Sequence, residues 1–287
     1  SPNGRALPGR YQHMRLRILL WTALSVLNSR VLAQSSQPQS APQQPRYQAN
    51  WPCTGKERSF DPSFSRAAEA TGGHLVLLDR SEAGVSSTIA TNDSKHKATI
   101  IRATGQSDSF VDVPFWVDSS VESLFVLGSM QCTQAIFLYD PQRSGIDGRI
   151  PGVEDTSFRA GRITVVRKPQ AGAWELRLLG TGQYSVAVQA SSKVGLGTVD
   201  LRSNKLSVWL NESIADPIFR LVDAAGKPIR SVTLARDPDS PAHYSGPLDF
   251  PVVSFRIQAE WRGPNQEIVW RTDPHLMDPP PPVSPKH

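Results

Sequence analysis

The sequence predicts a mainly β protein: two tandem Ig-like antiparallel β-sandwiches preceded by a short αβ segment. Three observations carry this expectation. From Lys97 onward, short apolar or alternating runs such as "KATIIRAT", "FVDVPFWVD", "RITVVRKP" and "KLSVWLN" are separated by Gly, Pro, Asp and Ser, the spacing of strands in an antiparallel sandwich. The phrase "AIFLYDPQRSGI" at 135–146 is written again as "PIFRLVDAAGKPI" at 217–229, which predicts the same strand and turn in each of two units. The ending echoes too, since "GQYSVAVQA" in the first block matches "PVVSFRIQAEW" in the second.

The elements follow in order. Residues 1–33 read as an upstream extension and a signal peptide: from Met14, two arginines precede an apolar run from Ile18 to Leu27, and Val31-Leu32-Ala33 suits cleavage after Ala33. The run is short for a membrane span, and the alternative is a buried helix or signal anchor. Residues 34–50 are a Gln/Ser/Pro-rich linker without the apolar content to build a core. Residues 51–94 form the αβ segment. There Asp61 is the expected cap, Pro62 the first turn, Phe64, Ala67 and Ala68 one face, Gly72-Gly73 the stop, and His74 to Asp79 a strand. The first sandwich is expected at 95–192, with separate strands in "SLFVLGS", "QAIFLYD", "WELRLLG" and "YSVAVQA". The second is expected at 193–273, and 274–287 form a Pro-rich tail, because proline offers no N–H to a ladder.

The chain carries 31 Lys+Arg against 26 Asp+Glu. Residues 1–33 hold Arg5, Arg10, Arg15, Arg17 and Arg30 and no acid, so taking those five away leaves 26 against 26. That balance argues against a nucleic-acid partner. Cys53 and Cys132 are the two cysteines. In an oxidising compartment their pairing is expected, closing a loop of about 80 residues worth on the order of 4 kcal/mol; two buried free thiols are the alternative.

"AAEATGGHLVLLD" resembles the last helix–strand passage of a von Willebrand factor A domain. "VPFWVDSSVESLFVLGS", "AIFLYDPQRSG" and "AWELRLLGTGQYSVAVQASS" are similar to the β-sandwich that follows such a domain in hemicentin-like extracellular proteins, over roughly residues 53–275. The resemblance implies extracellular adhesion or matrix interaction. It departs from the family where the Asp-x-Ser-x-Ser metal strand should precede, since spacer and signal fill that space. A near miss at Asp118, Ser120 and Glu122 is the one weak metal candidate, with Glu where the motif has Ser and a strand where it needs a helix. A hairpin turn with solvated acids is the competing reading.

Catalytic grammar is thin. The chain has no G-x-S-x-G elbow, no H-E-x-x-H, no P-loop and no Rossmann glycines in context. His74, His96, His243, His275 and His287 are scattered, and no cofactor is expected. Among Trp116, Trp174, Trp209, Trp261 and Trp270, core packing is the first expectation. Trp261 and Trp270 flank the Arg262-to-Glu267 turn and are the candidates for sugar contact. The expectation is thus a secreted or periplasmic non-catalytic binding or adhesion protein, engaging an extracellular or envelope protein or a polysaccharide. A carbohydrate-binding accessory module and a secreted enzyme with an unrecognised site are the alternatives.

Overall fold

The computed structural model describes residues 61–78, 80–202 and 204–279. The signal, linker and Cys53 expectations, and the end of the Pro-rich tail, lie outside the described residues.

The protein is mainly β, built of antiparallel sheets with a short helical segment before them. Helix α1 (Pro62–Thr71) starts as expected: the Asp61 side chain accepts from the Ser63 N–H at 2.8 Å, and Gly72, at φ 68°, ends it in the left-handed region. Its buried face differs from the expectation. Phe64 is 66% exposed, while Glu69 is the residue turned inward. Residues 74–78 pair with no strand. They run beneath helix α2 (Ala83–Lys95), and Val76, Leu77 and Leu78 pack beside Ile89. Apolar packing thus replaces a ladder there.

The first module comprises β1 (Ala98–Ser107), β2 (Phe110–Val117), β3 (Ser123–Tyr139), β4 (Gly145–Ile146), β5 (Val153–Phe158), β6 (Gly161–Arg167) and β7 (Gly172–Ser191). "SLFVLGS" and "QAIFLYD" are one strand, β3, and "WELRLLG" and "YSVAVQA" are one strand, β7. The two pair along nearly their whole length, with register shifts at Met130/Cys132 and Thr133/Ala135. There the ribbon bends. Gly180 makes the bend possible: at φ 146° it stands where an added Cβ would lie 2.0 Å from the Cys132 carbonyl oxygen. Beyond the bend β2 and β4 flank the pair, and before it β1 and β6 do. Leu124 and Val126 from one half and Ile136, Leu138 and Leu176 from the other therefore share one core. The near half is buried on both faces. Phe125 and Leu127 point the other way, under Ile89 of α2, which explains the unbroken apolar run "LFVL".

The second module is a sandwich of two four-stranded sheets. One is ordered β11 (Pro228–Val232), β10 (Ile218–Val222), β14 (Arg256–Arg262), β15 (Ile268–Thr272). The other is β12 (Ala235–Arg236), β13 (His243–Pro247), β9 (Lys205–Leu210), β8 (Leu196–Arg202). Leu206, Val208, Phe219, Leu221, Phe255 and Ile257 fill the space between them.

The repeated phrase is a hairpin in both places, and among the described residues the β14–β15 turn makes the same backbone bonds. In β3–β4, Asp140 N–H donates to the Ser144 carbonyl and Arg143 N–H to the Asp140 carbonyl. In β10–β11 the same bonds join Asp223 with Lys227 and Gly226 with Asp223, and in β14–β15 they join Gly263 with Glu267 and Gln266 with Gly263. The fourth position takes positive φ each time: Arg143 at 63°, Gly226 at 79° and Gln266 at 63°. In the first two, the leading Asp carboxylate also accepts from the fifth residue's N–H at 2.8 Å, so the shared Asp has a local structural cause.

Candidate functional site

The helical segment and the two modules meet around three arginines with no exposure of more than 1%. Arg271 of β15 reaches into the first module. Its guanidinium donates to Asp118 Oδ2 at 2.7 Å, Ser120 Oγ at 3.3 Å, Ser192 Oγ at 3.1 Å and the carbonyls of Val194 and Trp270 at 2.8 and 2.7 Å. All its donor groups are engaged, as burial of a guanidinium demands. Arg256 of β14 forms an ion pair with Glu69 of α1 and donates to the Ala224 carbonyl at 3.3 Å. Arg102 of β1 donates to the Gly72 and Gly73 carbonyls at the end of α1, where the helix dipole favours a cation. Burial pulls Arg102 and Arg256 each down to about 10, against Asp93 and Asp273 respectively.

These contacts decide the sequence candidates. Ser120 donates from its N–H and its hydroxyl to Asp118 Oδ1, while Asp118 Oδ2 faces Arg271. Burial alone would raise the Asp118 carboxyl, but the Arg271 charge and the hydrogen bonds outweigh it and hold it below the usual range. The positive charge that Asp118 and Ser120 meet is thus a guanidinium, and Glu122 is exposed at the surface. Among the described residues no group of three or more His, Cys, Asp or Glu is placed to hold a metal ion.

The sugar candidates require a correction. Trp261 is 5% exposed and lies with Ile257 and Ala259 on the inner face of β14, because residues two apart on a strand share a face. It offers no ring to a sugar. Trp270 is half-buried against the core of the first module, and its indole N–H donates to Glu260 Oε2 at 2.8 Å. Cys132 is buried in β3, at the bend.

Two histidines anchor helix α2, His74 to the 74–78 segment and His96 to β3. His74 Nε2 is 2.9 Å from Asp93 Oδ1, and Gln189 Nε2 donates to the same oxygen at 2.8 Å. His96 places Nδ1 2.7 Å from the Asn92 carbonyl and Nε2 2.8 Å from Ser123 Oγ. A carbonyl only accepts, so Nδ1 carries the proton and the Ser123 hydroxyl donates to Nε2. Burial holds both imidazoles below their ordinary value, and for His74 the Arg102 charge adds to it.

A cavity of about 310 Å³ opens where α1, the bent sheet and the β10–β11 turn converge. Its floor is the outer face of β1, β7 and β3. Thr104 pairs with Ser185 and Ser185 with Ser129, and beside that row Gln106 pairs with Gln183. Ser65 and Leu75 form a wall, and Ala224 of the second module forms the rim. The Thr104 N–H fixes that rim by donating to the Ala224 carbonyl at 2.7 Å. Among the described residues, no carboxylate, histidine, cysteine or cation lines the cavity. Sequence reasoning missed it because its residues come from separate segments; the available signal was the polar turn of one strand face, at Ser185 and Gln183, in an otherwise apolar "SVAV" run.

No helix among the described residues is long and apolar enough to cross a membrane. No protein-family model matches the chain, and no curated protein matches it. Among solved structures, the Bacillus licheniformis lipase BlEst2 in propeptide form is similar over 61% of this chain, at 13% identity and a TM-score of 0.35. The match spans 40% of that lipase chain.

Proposed function

We propose that this is a secreted or periplasmic, non-catalytic binding or adhesion protein whose β-module loops engage an extracellular or envelope protein. The observation that carries this reading is the loop between β13 and β14. Val252 at its tip is 96% exposed and Val253 47% exposed, while Leu248 and Phe255 on either side are buried in the second core. An apolar tip on a loop pinned at both ends is pre-organised to enter a partner's pocket, with little ordering left to oppose association. The signal-like passage from Met14, the resemblance to hemicentin-like sandwiches and a Cys53–Cys132 bond belong to the same proposal.

The test uses the full chain, immobilised and exposed to the host's cell-surface extract, with any captured protein purified and rebound in isolation. Stoichiometric rebinding that Val252→Asp/Val253→Asp abolishes is expected. Failure of every purified candidate to rebind, or equal binding by the double variant, removes this reading.

The carbohydrate-binding alternative is favoured by a different observation, the uncharged hydroxyl- and amide-rich floor of the cavity.

A further inference from the structure

We infer that the cavity between α1, β1, β7 and the β10–β11 turn is a binding site for a single neutral sugar ring. The site develops the carbohydrate alternative and is separate from the Val252 loop, so either can fail alone.

The outer face of the near half of the first sheet changes character along its length. Under α2 it carries Phe125, Leu127, Ile163, Val165 and Ala187, all buried and apolar. A few residues along the same face, where α2 no longer covers it, it becomes Ser129, Ser185 and Thr104, then Gln106 and Gln183. Packing against a helix asks for the first composition and gives no reason for the second. Covering the second patch with chain would leave its hydroxyls to be satisfied internally.

The polar groups of the patch are not all so satisfied. Ser185 is 7% exposed, and Gln183 Oε1 on the same face is buried with no hydrogen-bonding partner among the described residues. Ser129 donates to the Ala160 carbonyl at 3.0 Å, which leaves its oxygen free to accept. A buried amide oxygen without a partner, set beside near-buried hydroxyls, calls for a ligand that donates to it and carries several polar groups at short spacing.

Charge and size narrow the class. With no cation to balance an anion and no carboxylate to balance a cation among the described lining residues, a charged ligand would lose hydration without compensation. A volume of about 310 Å³ sits at the low end of ligand pockets, roughly 300–1,000 Å³. Leu75 and the backbone at Gly105 supply apolar surface beside the hydroxyls, which suits a ring with C–H faces and a hydroxyl rim.

The test is isothermal titration calorimetry of the full chain with glucose, galactose, mannose and N-acetylglucosamine, alongside glucose 6-phosphate and glucuronate. Two variants act at different walls. Ser65→Trp fills the mouth from the helix surface, and Ser185→Ala removes a hydroxyl from the floor; the urea midpoint of each is measured to show that it folds. At least one neutral sugar is expected to bind, with affinity reduced about tenfold or more in each variant, the equivalent of about 1.4 kcal/mol. The charged sugars are expected not to bind. The inference is overturned if none of the four neutral sugars binds, which leaves a cavity filled by water only. Equal binding by the charged analogues, or undiminished binding by folded Ser65→Trp, overturns it as well.

Discussion

Arg271 and Asp118 stand 153 positions apart in the chain and belong to different β modules, yet they form an ion pair of 2.7 Å in which the side chains are 0% and 2% exposed. Arg256–Glu69 and Arg102 with the Gly72 and Gly73 carbonyls do the same for helix α1. The joints of this protein are therefore polar and geometrically specific, where apolar contact alone would tolerate sliding.

Breaking one partner of the central pair should be costly. Arg271→Met leaves Asp118 buried and uncompensated and is expected to lower stability by about 3–5 kcal/mol, whereas pairing it with Asp118→Leu should recover much of the loss. A double-mutant cycle from urea unfolding measures this; additive losses from the two substitutions would contradict it.

The same pair sets an acid limit. Asp118 has a folded pKa below its unfolded value of about 3.9. Its contribution is therefore complete above about pH 4 and is lost as pH falls from there through the lowered folded value. Asp118→Asn should flatten stability against pH in that window and leave the slope above about pH 5 unchanged. Thermal melts across the acid range read the slope.

The histidines under α2 act in a higher window. Both imidazoles are held below their ordinary value when folded, so the opened state takes up protons first as pH falls below about 6.5. Stability from their burial is present above that pH and is lost as pH falls towards the folded values. Amides of Ala83–Lys95 are expected to lose hydrogen-exchange protection between about pH 8 and about pH 5, after correction for intrinsic rate, while those of β10 and β14 hold theirs. Equal protection of α2 at both pH values would count against this account.

Backbone geometry gives opposite signs at two positions. Gln266 sits at φ 63° in its hairpin, and Gln266→Gly should stabilise by about 0.5–1 kcal/mol by removing the left-handed cost of a side chain. Gly180→Ala places a Cβ against the Cys132 carbonyl and should cost more than about 3 kcal/mol or prevent folding. Chemical denaturation of the two variants in parallel decides both.

Core substitution tests the reassigned tryptophan. Trp261→Ala is expected to cost about 3–5 kcal/mol, as truncation of a packed core aromatic does. A folded Trp261→Ala protein of unchanged midpoint would return that ring to the surface.

The sequence by itself determined what is local: the antiparallel β class, the Asp61 cap and the Gly72 stop of α1. It also determined the shared hairpin at 135–146 and 217–229, because an Asp that bonds its own turn and a fourth residue in the left-handed region are properties of a few adjacent residues. Only the tertiary structure decided that "GTGQ" and "MQCTQ" are bends inside two long strands, since turn-like glycines at a bulge and in a loop read alike until the partner strand is in place. It also decided that Trp261 points inward, that Asp118 serves Arg271, and that Thr104, Ser129 and Ser185 share one floor. Each depends on register between segments far apart in sequence, and register is fixed by the summed packing of both faces of a sheet and not by any residue's own preference.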